Sequence, residues 1–299
     1  MDFTALRYFF ETARSGSIRR AAERIHVAPS AISRQIAKLE HDLGSPLLER
    51  RPNGVRLTAG GDLLLEQLQL TMRDLTRVRS QIDDLKGLRR GEVTVACIEG
   101  LVDFYLPAVI DAFHRKYPEI TFHIIVSSTD AILESLIADE VDIGIALNPP
   151  NRPEISIVGG WEEPLCAVVA QGHPLARRKT VQLVDLADYP AALPNTTFGV
   201  RRLVDRALSR SRVQLKSLVT TNSILATCGI AELGSFYTLL PRFAFQQGPK
   251  GRTLVGIPVK SEHLEPARVA IAVHNRRPLP LAVKEFMASL PNGGTKRTR

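Results

Sequence analysis

The side chains with the clearest chemical use lie between positions 29 and 38, where short hydrogen-bond donors and cations recur at helical spacing. A helix over this segment would turn one polar face outward, and that face carries Pro29, Ser30, Ser33, Arg34 and Lys38. An arginine can donate two parallel hydrogen bonds to guanine O6 and N7, and serines can reach base edges or phosphate. The pattern favours a helix that reads the major groove of double-stranded DNA, although a solvated polar face has the same composition.

Two shorter helices are predicted in front of this one. Apolar residues at i, i+3, i+4 and i+7 predict helices near 6–13 and 18–25, and Ser17 is a suitable N-cap for the second. Pro29 suits the first position of the third helix, where its fixed φ and missing N–H cost nothing. Three helices joined in this way form a helix-turn-helix, which is the context that groove reading requires.

A basic hairpin is predicted after the third helix, because two short segments flank Pro52-Asn53-Gly54 and Asn-Gly favours a tight turn. The cations of this wing can contact phosphates beside the groove without reading sequence. Cations in the first turn of the second helix oppose the helix dipole and so call for an anionic partner, although plain surface charge explains them equally well. The candidate phosphate contacts are Arg19, Arg20, Arg50, Arg51 and Arg56.

A long helix is predicted next, with Thr58 as its cap and no proline from 63 to 88. Its apolar residues repeat at seven in two offset series and form one a/d seam. The seam comprises Leu64, Leu68, Leu75, Val78, Ile82 and Leu85. A helix of about thirty residues spans about 45 Å, longer than a small domain is wide, so we expect the seam to pair with a second protomer rather than to pack on its own domain. Such a homodimer would offer two recognition helices to two half-sites.

From Glu92 onward, strands alternate with helices. The apolar segments 93–98, 120–126 and 141–147 are typical of buried parallel strands, and a second set of strands and helices begins near Pro164. The strand 267–273 and the helix 281–290 would return to the first set. We therefore expect two α/β lobes joined by two crossings, which is the arrangement of a hinged binding cleft.

Small polar residues follow the predicted strands, where ligands of open α/β sheets sit. The candidate effector contacts are Glu99, Gly100, Ser127, Ser128, Thr129, Asn148, Thr196, Thr197, Thr221 and Asn222. Hydroxyls and backbone N–H groups at helix N-termini suit an anionic or strongly polar small molecule, and we expect one that carries a carboxylate. Each hydroxyl taken alone could be a helix cap instead. Glu99 would repel an anion, so it would bind an amino or hydroxyl group of the ligand or turn away.

Several motifs of the first 75 residues resemble the winged helix-turn-helix of LysR-type transcriptional regulators. They are Ala21-Ala22-Glu23, Pro29-Ser30-Ala31-Ile32-Ser33-Arg34-Gln35-Ile36, Leu39-Glu40, Leu43-Gly44, Leu47-Leu48-Glu49-Arg50 and Leu57-Thr58-Ala59-Gly60. The resemblance covers the whole chain and implies a linker helix and a two-lobed effector domain of the periplasmic-binding-protein type. Ala28-Pro29 stands where many members carry Ser-Gln, so the base-reading role moves to Ser30, Ser33 and Arg34. Leu48 stands where many members carry a phenylalanine in the wing, and the smaller side chain only reduces a contact with the core.

The predicted fold is α/β with an N-terminal all-α winged helix-turn-helix. We expect the DNA-binding domain at 1–58, the linker and dimerisation helix at 59–90, the effector-binding domain at 91–291 and a disordered basic tail at 292–299. Within the effector domain, lobe I would comprise 91–163 and 268–291, and lobe II 164–267. The expected partners are promoter or operator DNA, an unidentified small-molecule effector and a second copy of the chain. The resemblance further implies a homotetramer, and RNA polymerase is an additional candidate.

Composition agrees with this interpretation. The chain of 299 residues carries a net charge of +8, and its first sixty residues hold ten Arg or Lys against six Asp or Glu, as affinity for phosphate requires. It has no run of about twenty apolar residues, and Met1-Asp2-Phe3 does not begin a signal peptide, so we expect a cytoplasmic protein without membrane contact.

Catalysis finds no support in the sequence. The seven histidines show no metal-binding spacing, and neither a Gly-x-Ser-x-Gly elbow nor a phosphate-binding glycine loop is present, so we expect no enzyme, metal or cofactor. Cys97, Cys166 and Cys228 lie far apart, the first two in apolar strands that favour inert thiols. A thiol-based redox sensor is the alternative sensing mechanism. A constitutive DNA-binding protein without a ligand is the second alternative, and titration with metabolites would distinguish it.

Overall fold

The computed structural model describes residues 2–52, 54–84, 90–103, 105–245 and 254–290. Its internal contacts divide the chain into two compact units, Met1–Arg79 and Ser80–Arg299. The predicted turn residue Asn53, the seam residue Leu85 and the predicted tail at 292–299 lie outside the described residues.

The first unit contains the three predicted helices, the wing and the start of the long helix. Its elements are α1 (Phe3–Ser15), α2 (Ile18–Ile25), α3 (Pro29–Leu43), β1 (Leu48–Arg51), β2 (Gly54–Leu57) and α4 (Ala59–Asp84). Local capping explains the boundaries: the Ser17 hydroxyl accepts a hydrogen bond from Arg20 N, and the Thr58 hydroxyl accepts one from Gly61 N. Phe9, Ile32 and Leu39 are almost completely buried, so the three helices share one core.

Hydrogen bonds of the backbone N–H groups fix the wing to the helices. Glu40 Oε1 accepts hydrogen bonds from Leu47 N at 2.8 Å and Leu48 N at 3.1 Å, and Val55 N donates to Gly16 O at 3.0 Å. Gly54 has a φ of 138°, and a Cβ there would collide with the Gly16 carbonyl oxygen. Only glycine therefore lets this hairpin approach the α1–α2 turn so closely.

The second unit contains two sets of strands with their helices. Its elements are β3 (Gly91–Cys97), α5 (Tyr105–Lys116), β4 (Ile120–Val126), α6 (Thr129–Ile137), β5 (Ile143–Leu147), β6 (Ile155–Glu163), β7 (Leu165–Ala170), β8 (Pro190–Pro194), α7 (Gly199–Ser211), β9 (Lys216–Thr221), α8 (Ile224–Glu232), β10 (Thr238–Pro241), β11 (Leu254–Pro258), β12 (Ala267–His274) and α9 (Leu281–Ser289). The predicted fold class, α/β with a winged helix-turn-helix and a two-lobed domain, is confirmed.

The sheets define the two lobes. Lobe I contains a sheet in the order β4-β3-β5-β12-β6, and lobe II contains the sheet β10-β7-β11 and the pair β8-β9. The chain leaves lobe I between β6 and β7 and returns to it at β12, so two segments cross between the lobes. The exact domain bounds given above stay a prediction.

The three strands predicted as parallel are parallel, because β3 pairs in parallel with both β4 and β5. The returning strand β12 pairs antiparallel with β5 and β6. One expectation about this sheet is wrong, because strand β4 is not buried on both faces. It lies at the edge of the sheet, and Thr121, His123 and Ile125 are exposed. An apolar run thus indicated a strand correctly but did not reveal which of its faces would be covered.

Candidate DNA-binding face and effector site

Helix α3 separates its two faces as the spacing predicts. Ile32, Ile36 and Leu39 are buried, whereas Pro29, Ser30, Arg34 and Lys38 are exposed and Ser33 is half-buried. Within the part of the chain that the structure describes, Arg34 and Lys38 form no ion pair. The face therefore offers two cations without an ion-pair partner beside two hydroxyls. Their hydrogen-bond donors can pair with acceptors on base edges and phosphates.

The cations around α3 differ in their surroundings. Arg51 Nη2 lies 3.3 Å from Glu49 Oε2, and Arg19 Nε lies 3.3 Å from Glu23 Oε1. Both pairs are exposed, so each contributes little to stability. Either arginine can therefore leave its carboxylate partner and bind a phosphate instead.

The wing arginines do not share one side. In the hairpin, Glu49 pairs with Arg56 and Arg50 pairs with Val55, so Arg56 and Arg51 lie on one face and Arg50 on the other. Arg50, Arg56 and the α2 residue Arg20 are all exposed.

The seam of α4 divides into two parts. Leu68 is only 5% exposed and belongs to the core of the first unit, and Leu64 packs against that core. The expectation that a partner must cover Leu68 is therefore wrong, because its own domain already does, whereas Leu64 is only half-buried. Leu75, Val78 and Ile82 are 48%, 50% and 53% exposed, so this distal part of the seam is the part available to a partner helix.

Thr129 joins the two lobes at the centre of the predicted cleft. Its hydroxyl donates to Leu147 O at 3.1 Å and accepts from Gly199 N, the first residue of α7 in lobe II, at 3.3 Å. Thr129 is fully buried, and a Cβ on Gly199 would collide with the Leu147 carbonyl oxygen. The Thr129 hydroxyl, which was predicted to contact an effector, thus forms hydrogen bonds with protein groups of both lobes.

Glu99 also reaches across this boundary. Its Oε1 accepts from Ser223 Oγ and Leu225 N, both at 3.0 Å, and its Oε2 accepts from Ile224 N at 2.7 Å. The carboxylate therefore caps α8 of lobe II, and its oxygens accept hydrogen bonds from protein donors. Sequence reasoning missed Ser223 as its partner.

A third polar contact joins the N-termini of α6 and α7. Arg202 Nη1 lies 2.7 Å from Asp130 Oδ1 and donates to Thr196 O at 3.2 Å. Neither charged residue was predicted. The signal was present, however, because Arg202 in the first turn of a helix opposes the dipole and needs an anionic partner.

The remaining candidates are mostly occupied by local structure. Ser128 caps α6, and the Thr197 hydroxyl donates to Asn195 Oδ1. The Thr221 hydroxyl accepts from Ser223 N, and Ser127 N donates to Cys97 O. Thr196 and Asn222 are exposed.

One of the cavities between the lobes is small and apolar. Gly100 and Thr129 line a cavity of about 20 Å³ together with Ile98, Leu147, Phe198 and Ile224. That volume holds about one water molecule, far below the roughly 300 Å³ of an ordinary ligand pocket. Asn148 lines a second, larger groove of about 730 Å³ together with Arg202 and Asp205 of lobe II, and its side chain accepts from Arg268 N. This groove also lies between the lobes and is large enough for a small molecule.

The three cysteines are all buried, and none of them forms a disulfide in the part of the chain that the structure describes. Burial raises the pKa of Cys97 to about 12 and also raises the pKa of Cys166. A thiol held protonated in this way is a poor nucleophile, which disfavours the redox alternative.

Among the described residues, no group of three His, Cys, Asp or Glu side chains could hold a metal ion. Nor does that part of the chain contain a helix with the length and apolarity needed to span a bilayer.

A winged helix-turn-helix, a long helix and a two-lobed α/β domain together define a DNA-binding regulator with a sensory domain. Residues 3–62 match the family model of the bacterial regulatory helix-turn-helix protein, lysR family, and residues 86–293 match that of the LysR substrate binding domain. The chain belongs to the LysR family of transcriptional regulators, as the sequence motifs predicted. It is a DNA-binding protein with an effector-binding domain.

Known proteins extend this similarity over the full chain. The transcriptional dual regulator GltC of Bacillus subtilis (strain 168) is 32% identical over 287 residues, which cover 94% of each protein. The crystal structure of full-length CbnR complexed with the target DNA has a TM-score of 0.74 at 23% identity, over 97% of this chain and 98% of that one. The effector binding domain of QuiR in complex with shikimate has a TM-score of 0.60 at 21% identity, over 67% of this chain and 95% of that one.

Proposed function

We propose that this regulator reads two operator half-sites with α3 and changes its DNA-binding mode when a small polar molecule binds between the lobes of its effector domain. The observation that carries the first part is the uncommitted polar face of α3, with Arg34 as the residue best suited to pair with a guanine. The structure of CbnR with its target DNA supports the same role for the helix-turn-helix.

Arg34→Ala tests the reading role. Loss of a bidentate contact should cost about 1–3 kcal/mol of operator affinity and relax base preference at one position of each half-site. Arg51→Ala is the matched control, because loss of a phosphate contact should weaken all sequences evenly and flatten the salt dependence. Binding curves on an operator and its base-substituted forms separate the two, and an Arg34 variant that keeps wild-type affinity and preference contradicts the assignment.

The sensory part of the proposal rests on the interlobe contacts. The contacts of Thr129 and Glu99 hold the two lobes together. Residues of both lobes, Arg202 among them, line the groove of about 730 Å³, so a ligand in that groove would contact both lobes. By binding one arrangement of the lobes more tightly it shifts their populations. The shift would pass through α4 to the spacing of the two DNA-binding domains in a dimer, with the tetramer as the assembly that the family resemblance suggests.

Footprinting tests this response. Ser128→Ala combined with Thr196→Ala should weaken the effect of the metabolite on the operator footprint and leave ligand-free binding intact. Ser209→Ala, on the exposed surface of α7, should change neither. An unchanged response in the double variant, or a loss of ligand-free binding, contradicts the cleft model.

A further inference from the structure

The groove of about 730 Å³ between the lobes has an apolar part. It is lined by Pro149, Pro150 and Ile157 of lobe I and by Pro266, in the segment that leads back to that lobe. Ile157 is 53% exposed although it lies within strand β6. Apolar surface that is open to water gains free energy when another apolar group covers it. The groove therefore suits a ligand with an apolar body.

The acidic residues of the groove are already neutralised. Each of those that the structure describes in its lining forms an ion pair with an arginine. These pairs are Glu162–Arg268 and Asp205–Arg201 at 2.8 Å and Glu265–Arg210 at 3.6 Å. The three carboxylates therefore add little net negative charge to the groove.

Arg206 lines the same groove and is exposed, but it forms no ion pair with any residue that the structure describes. One turn earlier on α7, Arg202 Nη1 pairs with Asp130 Oδ1, and Arg202 Nη2 is buried without a hydrogen-bond partner among the same residues. Arginines at i and i+4 are neighbours on one helix face and repel each other. An anion beside them would reduce this repulsion, and an acceptor would remove the cost of an unsatisfied buried donor.

We infer that the groove binds a small organic monocarboxylate with an apolar body, whose carboxylate pairs with Arg206. One cation without a partner matches one negative charge, and the apolar lining matches the body of the molecule. This inference rests on the proposed effector site, and it names the chemical class of the ligand and the residue that holds its charge. Arg206 belongs to lobe II and Ile157 to lobe I, so such a ligand contacts both lobes.

Calorimetric titration of the full-length protein with cyclohexanecarboxylate tests the inference, because this probe carries one carboxylate on an apolar ring. The wild type should bind it saturably and much more tightly than cyclohexanecarboxamide, which lacks the charge, or acetate, which lacks the ring. Arg206→Ala should weaken binding by about tenfold or more, since a charge-assisted contact is lost. The matched control is Arg276→Ala, which removes an exposed arginine of the same domain that does not line the groove.

A second pair of variants tests the position of the apolar body. Ile157→Ser should weaken binding about fivefold, because the ring loses an apolar contact. Val158→Ser changes the next residue of the strand, which is also exposed but does not line the groove, and should have little effect. Since both side chains are largely exposed, both variants should fold.

Four results would overturn the inference. They are no saturable binding of cyclohexanecarboxylate to the wild type, equal binding of the amide, equal affinities of Arg206→Ala and Arg276→Ala, and equal effects of the two serine variants. These titrations contain no DNA, so they are independent of the proposed regulation. Binding that depends on Arg206 but leaves the operator footprint unchanged supports this inference and contradicts the sensory role of the groove. A footprint that responds equally to an effector in the wild type and in Arg206→Ala has the opposite meaning.

Discussion

Thr129 offers a sharp test of the interlobe boundary, because its side chain is fully buried and its hydroxyl serves both lobes. Thr129→Val has nearly the same shape but lacks the hydroxyl. The variant leaves Gly199 N–H without this acceptor and the Leu147 carbonyl without this donor. An unsatisfied buried polar group costs about 1–3 kcal/mol.

A loss of about 2 kcal/mol corresponds to a fall in melting temperature of about 4–8 °C for a domain of this size. The assay is thermal and urea unfolding of the full-length protein, with Thr129→Ser as the matched control because it keeps the hydroxyl. We expect the serine variant to retain most of the stability that the valine variant loses. A valine variant as stable as the wild type would refute the role of this hydroxyl, and so would a serine variant that loses as much as valine.

Two further predictions concern assembly and pH. Leu75→Asp should lower the mass seen by light scattering, because it places a charge in the exposed distal seam, whereas Leu63→Asp, exposed on α4 outside the seam, should not. An unchanged mass for the first variant would mean that another surface holds the dimer. Burial lowers the pKa of His173, so the unfolded chain takes up a proton at a higher pH than the folded protein, and stability should fall as the pH drops from about 7.5 to about 5.5. His173→Asn should flatten this decline in melting temperature, while the same change at the exposed His263 should not; equal slopes would contradict the assignment.

Much of the DNA-binding unit could be predicted because the residues that determine its helices are local in sequence. Each helix boundary is set by a residue next to it: Ser17 caps α2, Pro29 begins α3 and Thr58 caps α4. The buried Ile32 lies within the helix whose inner face it defines. The wing needed more than local information, because Glu40 holds it through Leu47 N and Leu48 N.

The effector domain was predictable in outline only. Strand ends located the residues at the interlobe boundary, but not their partners, since the Glu99–Ser223 and Asp130–Arg202 contacts join distant parts of the chain. Strands such as β8, between Pro190 and Pro194, carry no alternating pattern and were not predicted. Heptad spacing likewise could not show that Leu68 is covered by its own domain.

Selection of operator sequences tests whether α3 reads two half-sites. Full-length protein would be mixed with random-sequence DNA, and the bound fraction sequenced over successive rounds, in parallel with Arg34→Ala. The wild type should enrich two related half-sites whose centres lie about 10 base pairs or a multiple apart, and the variant should lose preference at one position in each. Enrichment without any half-site, or identical sequences from both proteins, would contradict the reading role of α3.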